Sequence, residues 1–368
     1  MNSQRIVVKL GTSTLTAGGK KLSAPRMVDL ARQVAGLLAG GSQVVLVSSG
    51  AIAAGREVLG YPSLPKHLPA KQMLAAVGQP RLMTLYEQVF GIYGTRVAQV
   101  LLTRADFGDR RRFLNARNTL DALLQQALVP IINENDTLAT EEIRFGDNDN
   151  LSAQVANLVE ADLLLLLTDQ DGLYSADPRQ DPNARLIHQV GPEPFAASLW
   201  EAAGGSAGGL GTGGMLTKLQ AADLARHAGV TVVIASGSAP EVLQHLAQGD
   251  EIGTRFLPVI NKLEGRKRYI LSSSHVAGEV EVDAGAARAL AHGGSLLPAG
   301  VVRVKGDFER GDTVRVTGPN DKALAVGLSS YPSAELAQLC GRQSTEIESI
   351  LGYTSGAEVI HRNNMILL

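Results

Sequence analysis

Residues 5–13 read RIVVKLGTS, an apolar run of strand length that closes on a lysine, a glycine and two hydroxyl-bearing residues. An apolar run without polar alternation is expected of a strand covered on both faces, as in a parallel sheet under helices. The same unit recurs outward along the chain. Ser23 and Pro25 open a helix whose apolar positions Met27, Leu30, Val34 and Leu37 are spaced by three or four. QVVLVS (43–48) is a second strand, ending in the small-residue turn Ser49-Gly50-Ala51. A helical stretch from about Ala70 to Phe90 leads into a strand at Val97 to Leu102, and helical Phe113 to Gln126 leads into Val129 to Asn133. Leu163 to Thr168 and Thr231 to Ala235 complete the series. This alternation predicts an α/β fold: a three-layer αβα sandwich on a mostly parallel sheet.

The pattern changes after Pro258. Asn261 to Arg268 (NKLEGRKR) is polar and basic and reads as a linker. Period-two stretches follow at Gly278 to Asp283, Val301 to Lys305, Asp312 to Thr317 and Ala323 to Leu328. Turn signals separate them, among them Gly306-Asp307, Gly311-Asp312 and Gly318-Pro319-Asn320-Asp321. A small C-terminal β-barrel with one or two short helices is expected. The division is then 1–258, a linker over 259–274, and a second domain over 275–368.

Composition narrows the function classes. At 368 residues the chain is long enough for two or three domains of roughly 150 residues each. Thirty-four Lys and Arg against 36 Asp and Glu leave a net charge of −2, so no global field draws the protein to nucleic acid or an anionic membrane. The single cysteine, Cys340, excludes an intramolecular disulfide and a thiolate-rich metal site. The opening residues lack the layout of a signal peptide, and the leucine run 163–167 is far too short to span a bilayer. A soluble, cytoplasmic protein is the expectation.

In an open parallel sheet, ligands collect beyond the carboxyl ends of the strands. Lys9-Leu10-Gly11-Thr12-Ser13, Ser48-Ser49-Gly50-Ala51, Asn133-Glu134-Asn135-Asp136 and Thr168-Asp169 all fall at such ends. Turn chemistry accounts for any one of them alone. Their recurrence at successive strand ends points to a site. Lys9 ends an apolar strand, either snorkelling to water or held over the sheet edge for a phosphate. Asp147, Asn148 and Asp149 precede a helix, with Asp149 or Asn150 a candidate N-cap, and a carboxylate here could instead position two lysines. The run GGSAGGLGTGGMLTK ends in Lys218 and enters a helix. Gly209, Gly211 and Gly214 satisfy GxGxxG, but no strand precedes them and no acid closes the next strand, so a dinucleotide fingerprint fails. A phosphate cradle of glycine N–H groups with Lys218 following is the better reading. The seven histidines have no metal-ligand spacing. Two lysines, carboxylates, amides and glycine loops are equipment for phosphoryl transfer by positioning and charge.

VVKLGTS, VSSGAIAAG, LLTRAD, FLNARNTL, NENDT, FGDNDNLSA, LLTDQDGLY and GLGTGGMLTKLQAA, in this order, resemble the amino acid kinase superfamily and, within it, the glutamate 5-kinase family. The tail HGGSLLPAGVVRVKGDFERGD is similar to the PUA domain of many bacterial members. The resemblance implies an amino acid kinase-like catalytic domain, a PUA-like tail, and phosphorylation of the L-glutamate γ-carboxylate by ATP with Mg2+, the first step of proline synthesis. It also implies free proline as inhibitor, a homo-oligomer (dimer or tetramer), and a following glutamyl phosphate reductase as possible partner. Lys9 and Lys218 would flank the transferred phosphoryl group, with Asp149 orienting both. Ser49, Asn133, Asp136, Asp147 and Asn148 would line the glutamate pocket. ATP would meet Lys9, Gly11, Gly50, Thr168, Asp169, Thr212, Gly213, Gly214, Met215 and Lys218, with magnesium carried by its phosphates rather than by a protein metal site.

Two other readings compete with this one. A different carboxylate kinase of the superfamily, such as acetylglutamate kinase or aspartokinase, is disfavoured by the NEND and GDNDN pair. An RNA-binding role for the tail is disfavoured by charge, since 271–368 holds 8 Lys and Arg against 11 Asp and Glu.

Overall fold

The computed structural model describes residues 4–65, 67–139, 148–204, 214–261 and 276–368. Asp147, Thr212, Gly213 and most of the expected linker therefore lie outside the described residues. The chain divides into two compact units, one of Met1–Gly108 and Asn115–Lys262, the other of Asp109–Leu114 and Leu263–Leu368.

The first unit is built on eight strands: β1 (Arg5–Leu10), β2 (Gln43–Ser48), β3 (Val97–Leu102), β4 (Val129–Glu134), β5 (Leu163–Thr168), β6 (Gln189–Val190), β7 (Thr231–Ser236) and β8 (Thr254–Phe256). They run in the order β3-β4-β2-β1-β5-β7-β8-β6. All neighbours are parallel except β7 and β8. The mostly parallel sheet expected from the sequence is therefore present. Every residue of β4 and β5 is buried, which explains why those segments carry no polar alternation. The two-residue β6 and the three-residue β8 extend the sheet beyond the strands read from sequence.

The helices of this unit are α1 (Thr12–Thr16), α2 (Ala24–Ala39), α3 (Ala51–Val58), α4 (Leu68–Gly91), α5 (Arg104–Gly108), α6 (Arg110–Gln125, of which Arg110–Leu114 fall in the second unit), α7 (Asn148–Leu158), α8 (Ala197–Ala202), α9 (Met215–Arg226) and α10 (Val242–Gln248). Ser23 caps α2, its side chain accepting the Arg26 N–H, with Pro25 in the first turn. Strand residues Ile6, Val8, Leu10, Leu163, Leu165 and Leu167 share one core with apolar residues of α2, α3, α4 and α10. The intervening residues of β1, Val7 and Lys9, point by the two-residue period to the other face, where α7 packs against β1 and against α9. Because β1 lies centrally, with β2 on one side and β5 on the other, its carboxyl end is the switch point of the sheet.

The second unit carries five strands, β9 (Gly278–Val282), β10 (Val301–Gly306), β11 (Thr313–Thr317), β12 (Ala323–Leu328) and β13 (Met365–Leu367), ordered β10-β9-β11-β12-β13. Val280, Val282, Val314 and Val316 meet Tyr331, Leu336 and Ile347 in its core. Three short helices, Ala284–Ala291, Ser333–Leu339 and Ile347–Leu351, stand where one or two were expected. The last two are too short for a helical period to register. Among the described residues no helix is long and apolar enough to cross a membrane.

Candidate active site

Lys9 is the penultimate residue of β1, opposite Val47 of β2 and Leu166 of β5. It is 6% exposed, so the snorkelling alternative is excluded. Its Nζ lies 2.6 Å from Asp149 Oδ1. Asp149 Oδ2 accepts from Lys218 Nζ at 3.2 Å and from Thr217 Oγ1 at 2.7 Å. Residues far apart in sequence thus converge because β1, the first turn of α7 and the second turn of α9 meet above the sheet edge. Asp149 is not an N-cap. It stands inside α7, whose described residues begin at Asn148, and its carboxylate takes two ammonium groups and a hydroxyl. Asn150, the other capping candidate, is likewise helical. Burial pushes the Asp149 carboxyl up, but the charges of Lys9 and Lys218, with hydrogen bonds from Lys9 and Thr217, outweigh it and hold the group at about 2. Asp149 thus holds two buried ammonium groups side by side, an arrangement suited to an anionic ligand.

The turns around this cluster depend on glycine where the backbone leaves the usual regions. Gly50 precedes α3 at φ 104°, and Gly214 precedes α9 at φ 89°, ψ −144°. Gly11 precedes α1. A cleft of about 940 Å³ opens over these turns, lined by Lys9, Gly11, Ser49, Thr168, Asp169, Gly214, Met215 and Lys218. Thr168 ends β5 and donates to Asp169 Oδ1 at 3.1 Å. Tyr174, Asp177, Arg179 and Glu201 also line the cleft, and the sequence reading did not single them out. For the first three, position directly after the Thr168-Asp169 strand end was the available signal.

Gly50, Asn133, Asp136 and Asn148 lie outside that lining. Asn133 and Asn148 join it through hydrogen bonds. Asn148 Nδ2 donates to Ser49 Oγ (3.0 Å), the Ser48 carbonyl (3.1 Å) and Asn133 Oδ1 (3.0 Å). Ser48 Oγ meets the Tyr86 hydroxyl at 2.7 Å beneath the turn. Asp136, on the turn after β4, has its carboxyl pushed up to about 6 by burial.

Paired ammonium groups at the switch point of such a sheet are suited to phosphate oxygens, and the class of protein this chemistry matches is the small-molecule kinases. The profile of the amino acid kinase family matches residues 4–236, and that of the PUA domain matches 278–351. A glutamate 5-kinase of Shewanella amazonensis is 56% identical over 99% of this chain and 96% of its own length. One of Vibrio campbellii is 55% identical, with the same coverage. A crystal structure of UMP kinase from Ureaplasma parvum is 16% identical with a TM-score of 0.49, covering 70% of this chain and 100% of that one. The chain belongs to the amino acid kinase family and, within it, to the glutamate 5-kinases.

Proposed function

We propose that the protein transfers the γ-phosphoryl group of ATP to the γ-carboxylate of L-glutamate, giving ADP and γ-glutamyl phosphate as the first step of proline synthesis. The observation that carries this reading is the buried Lys9–Asp149–Lys218 cluster, which holds two ammonium groups side by side. A γ-carboxylate, with an ordinary pKa near ~4.3, is ionised at pH 7 and needs no general base. What opposes reaction is repulsion between that carboxylate and the phosphates. Lys9 and Lys218 offset it, and Asp149 keeps both ammonium groups aimed at the same point. As a carboxylate oxygen bonds to the γ-phosphorus, the bond from that phosphorus to the bridging oxygen of ADP breaks.

In this reading Gly11 and Gly50 offer N–H groups to the phosphates, and Thr168, Asp169 and the segment Thr212 to Lys218 hold ATP. Ser49, Asn133, Asp136, Asp147 and Asn148 hold glutamate. A kinase acting on ATP uses a divalent cation, here Mg2+. Asp149 is engaged by Lys9, Lys218 and Thr217, and among the described residues no group of three Asp, Glu, His or Cys side chains could hold a metal ion. In this reading the cation arrives with the nucleotide and would supply charge neutralisation at its phosphates. The deciding experiment is ATP turnover over an amino-acid panel with hydroxylamine, which traps an acyl phosphate as a hydroxamate. Product from L-glutamate supports the reading; product from aspartate or acetylglutamate alone overturns it.

Asp136 gives a pH signature. With its carboxyl at about 6 in the free protein, it is mostly neutral at pH 5 and ionised above pH 7. An ionised Asp136 is suited to the α-ammonium of the substrate. The expected kcat/KM for glutamate rises with pH on a limb near 6, and a flat profile between pH 5 and 7 removes Asp136 from the site.

Inhibition by free proline, competitive with glutamate, belongs to the same reading and rests on the resemblance. Raising glutamate should relieve it, Asp147→Asn should disturb both ligands, and an enzyme indifferent to millimolar proline refutes it. A homo-oligomer, dimer or tetramer, and transfer of product to a glutamyl phosphate reductase also rest on the resemblance.

The domain division is proposed as 1–258, 259–274 and 275–368. A chain ending at Arg268 is expected to fold and form the hydroxamate, because every assigned residue lies between Lys9 and Lys218. Light scattering separates aggregation from catalytic failure. A soluble, cooperatively folding truncation without product overturns the division.

A further inference from the structure

Three amide side chains form a relay whose direction is fixed by the backbone. Asn148 Nδ2 donates to the Ser48 carbonyl and to Asn133 Oδ1, and the Glu134 N–H donates to that same Asn133 oxygen. These contacts set which end of each amide is nitrogen. Asn133 Nδ2 must then donate onward, and it does so to Gln79 Oε1 at 2.9 Å. With its oxygen committed, Gln79 turns Nε2 away as a double donor. Nε2 is buried and meets no hydrogen-bond partner among the described residues. At the opposite end of the relay, Asn148 Oδ1 is an equally buried acceptor without a partner among the described residues, in a residue that is 7% exposed overall. A buried amide N–H left unpaired is a costly feature that a ligand would relieve.

Gln79 is held in place by its neighbour. A Cβ on Gly78 would stand 1.8 Å from the carbonyl oxygen of Ala51, so α4 lies directly on the first turn of α3. Gln79 thus follows directly on the helix contact at Ala51, the first residue of α3.

We propose that Gln79 is a specificity residue whose Nε2 donates to the α-carboxylate of the amino acid substrate. The inference rests on the glutamate reading and refines it. The reacting γ-carboxylate has to lie at Lys9 and Lys218, next to Asp149. The relay starts at the adjacent Asn148 and carries away through Asn133, so its free donor serves the distal end of the substrate. That end of an α-amino acid presents an anionic acceptor and a cationic donor. Gln79 answers the first and Asp136, on the turn after β4, answers the second.

The test compares L-glutamate with glutamate α-amide, in which the α-carboxylate is replaced by a neutral group that can donate. Gln79→Glu keeps an oxygen for Asn133 but replaces the free donor by an anionic acceptor. The expected result is a KM for glutamate raised about ten- to a hundredfold, the loss of one hydrogen bond to a charged group. The KM for ATP should be unchanged, and kcat/KM for the α-amide should rise relative to glutamate. Gln79→Met, neutral and of similar length, is the second variant should the first fold poorly; it should weaken glutamate more than the amide. Equal proportional losses on both substrates, or an unchanged KM for glutamate, overturn the role of Gln79 while leaving the kinase reading intact. If the wild-type enzyme forms hydroxamate from another α-amino acid, the glutamate reading falls, and Gln79 is judged by the same comparison on that acid and its α-amide. If it forms none from any amino acid, both readings fall.

Discussion

Lys218→Met should lower kcat by about 10²–10³ with the fold intact, the loss typical of removing one donor aimed at charge developing in a transition state. Methionine keeps most of the length and the apolar stem of lysine, so packing in the second turn of α9 changes little. The substitution removes the ammonium group that lies 3.2 Å from Asp149 Oδ2. It also leaves Asp149 paired with Lys9, so no bare charge is created. Binding of ATP should weaken less than kcat falls, because Lys9 and the backbone turns remain. Lys9→Met should lose a similar factor. The double variant should lose less than the product of the two, since both lysines act on the same phosphoryl group. Near-normal kcat in the single variant would remove Lys218 from the reaction.

The ends of the central strands were legible because burial on both faces writes itself as unbroken apolar sequence. RIVVKL, QVVLVS and LLLLLT coincide with β1, β2 and β5. The short strands Gln189–Val190 and Thr254–Phe256 were not legible, since two or three residues hold no period and exist as strands through their partners. Ala51 reads as the end of the small-residue turn Ser49-Gly50-Ala51 with no helix after it, yet Ala51–Val58 is helix α3, and its small residues serve the contact with α4 at Gly55 and Gly78. At the site, Lys9, Asp149 and Lys218 could be named from motifs. The hydroxyl of Thr217 on Asp149 and the amide of Gln79 on Asn133 could not, because spacing along a chain does not encode which side chains meet across 68 or 54 residues. The N-cap reading of Asp149 failed for a related reason: local propensity favours a cap there, and two distant lysines outcompete it.

Asp149→Asn should be the most damaging single change, in stability as well as in rate. The asparagine fills nearly the same space, but it leaves Lys9 and Lys218, 6% and 8% exposed, without the anion between them. Removing one partner of a buried ionic cluster costs about 3–5 kcal/mol, because the remaining charges are desolvated and here also repel each other. The expected result is a melting temperature lowered by several degrees and kcat reduced beyond that of either lysine variant, since both ammonium groups lose their orientation. Nucleotide should then stabilise the variant more than it stabilises the wild type, its phosphates replacing the missing negative charge. The wild-type carboxyl, held at about 2 against an ordinary 3.8, adds a pH signature. A depressed acid contributes stability that is complete above its unfolded value and is lost as pH falls through the folded one. A shift of this size is worth roughly 2 kcal/mol, which the wild type should lose progressively as pH falls from above 4 to below 2 through this group. Asp149→Asn should lack that component of the acid transition. Matching acid-unfolding curves and an unchanged melting temperature would mean that the two lysines do not depend on this carboxylate, and the cluster would then lose its central role in holding both ammonium groups over the sheet edge.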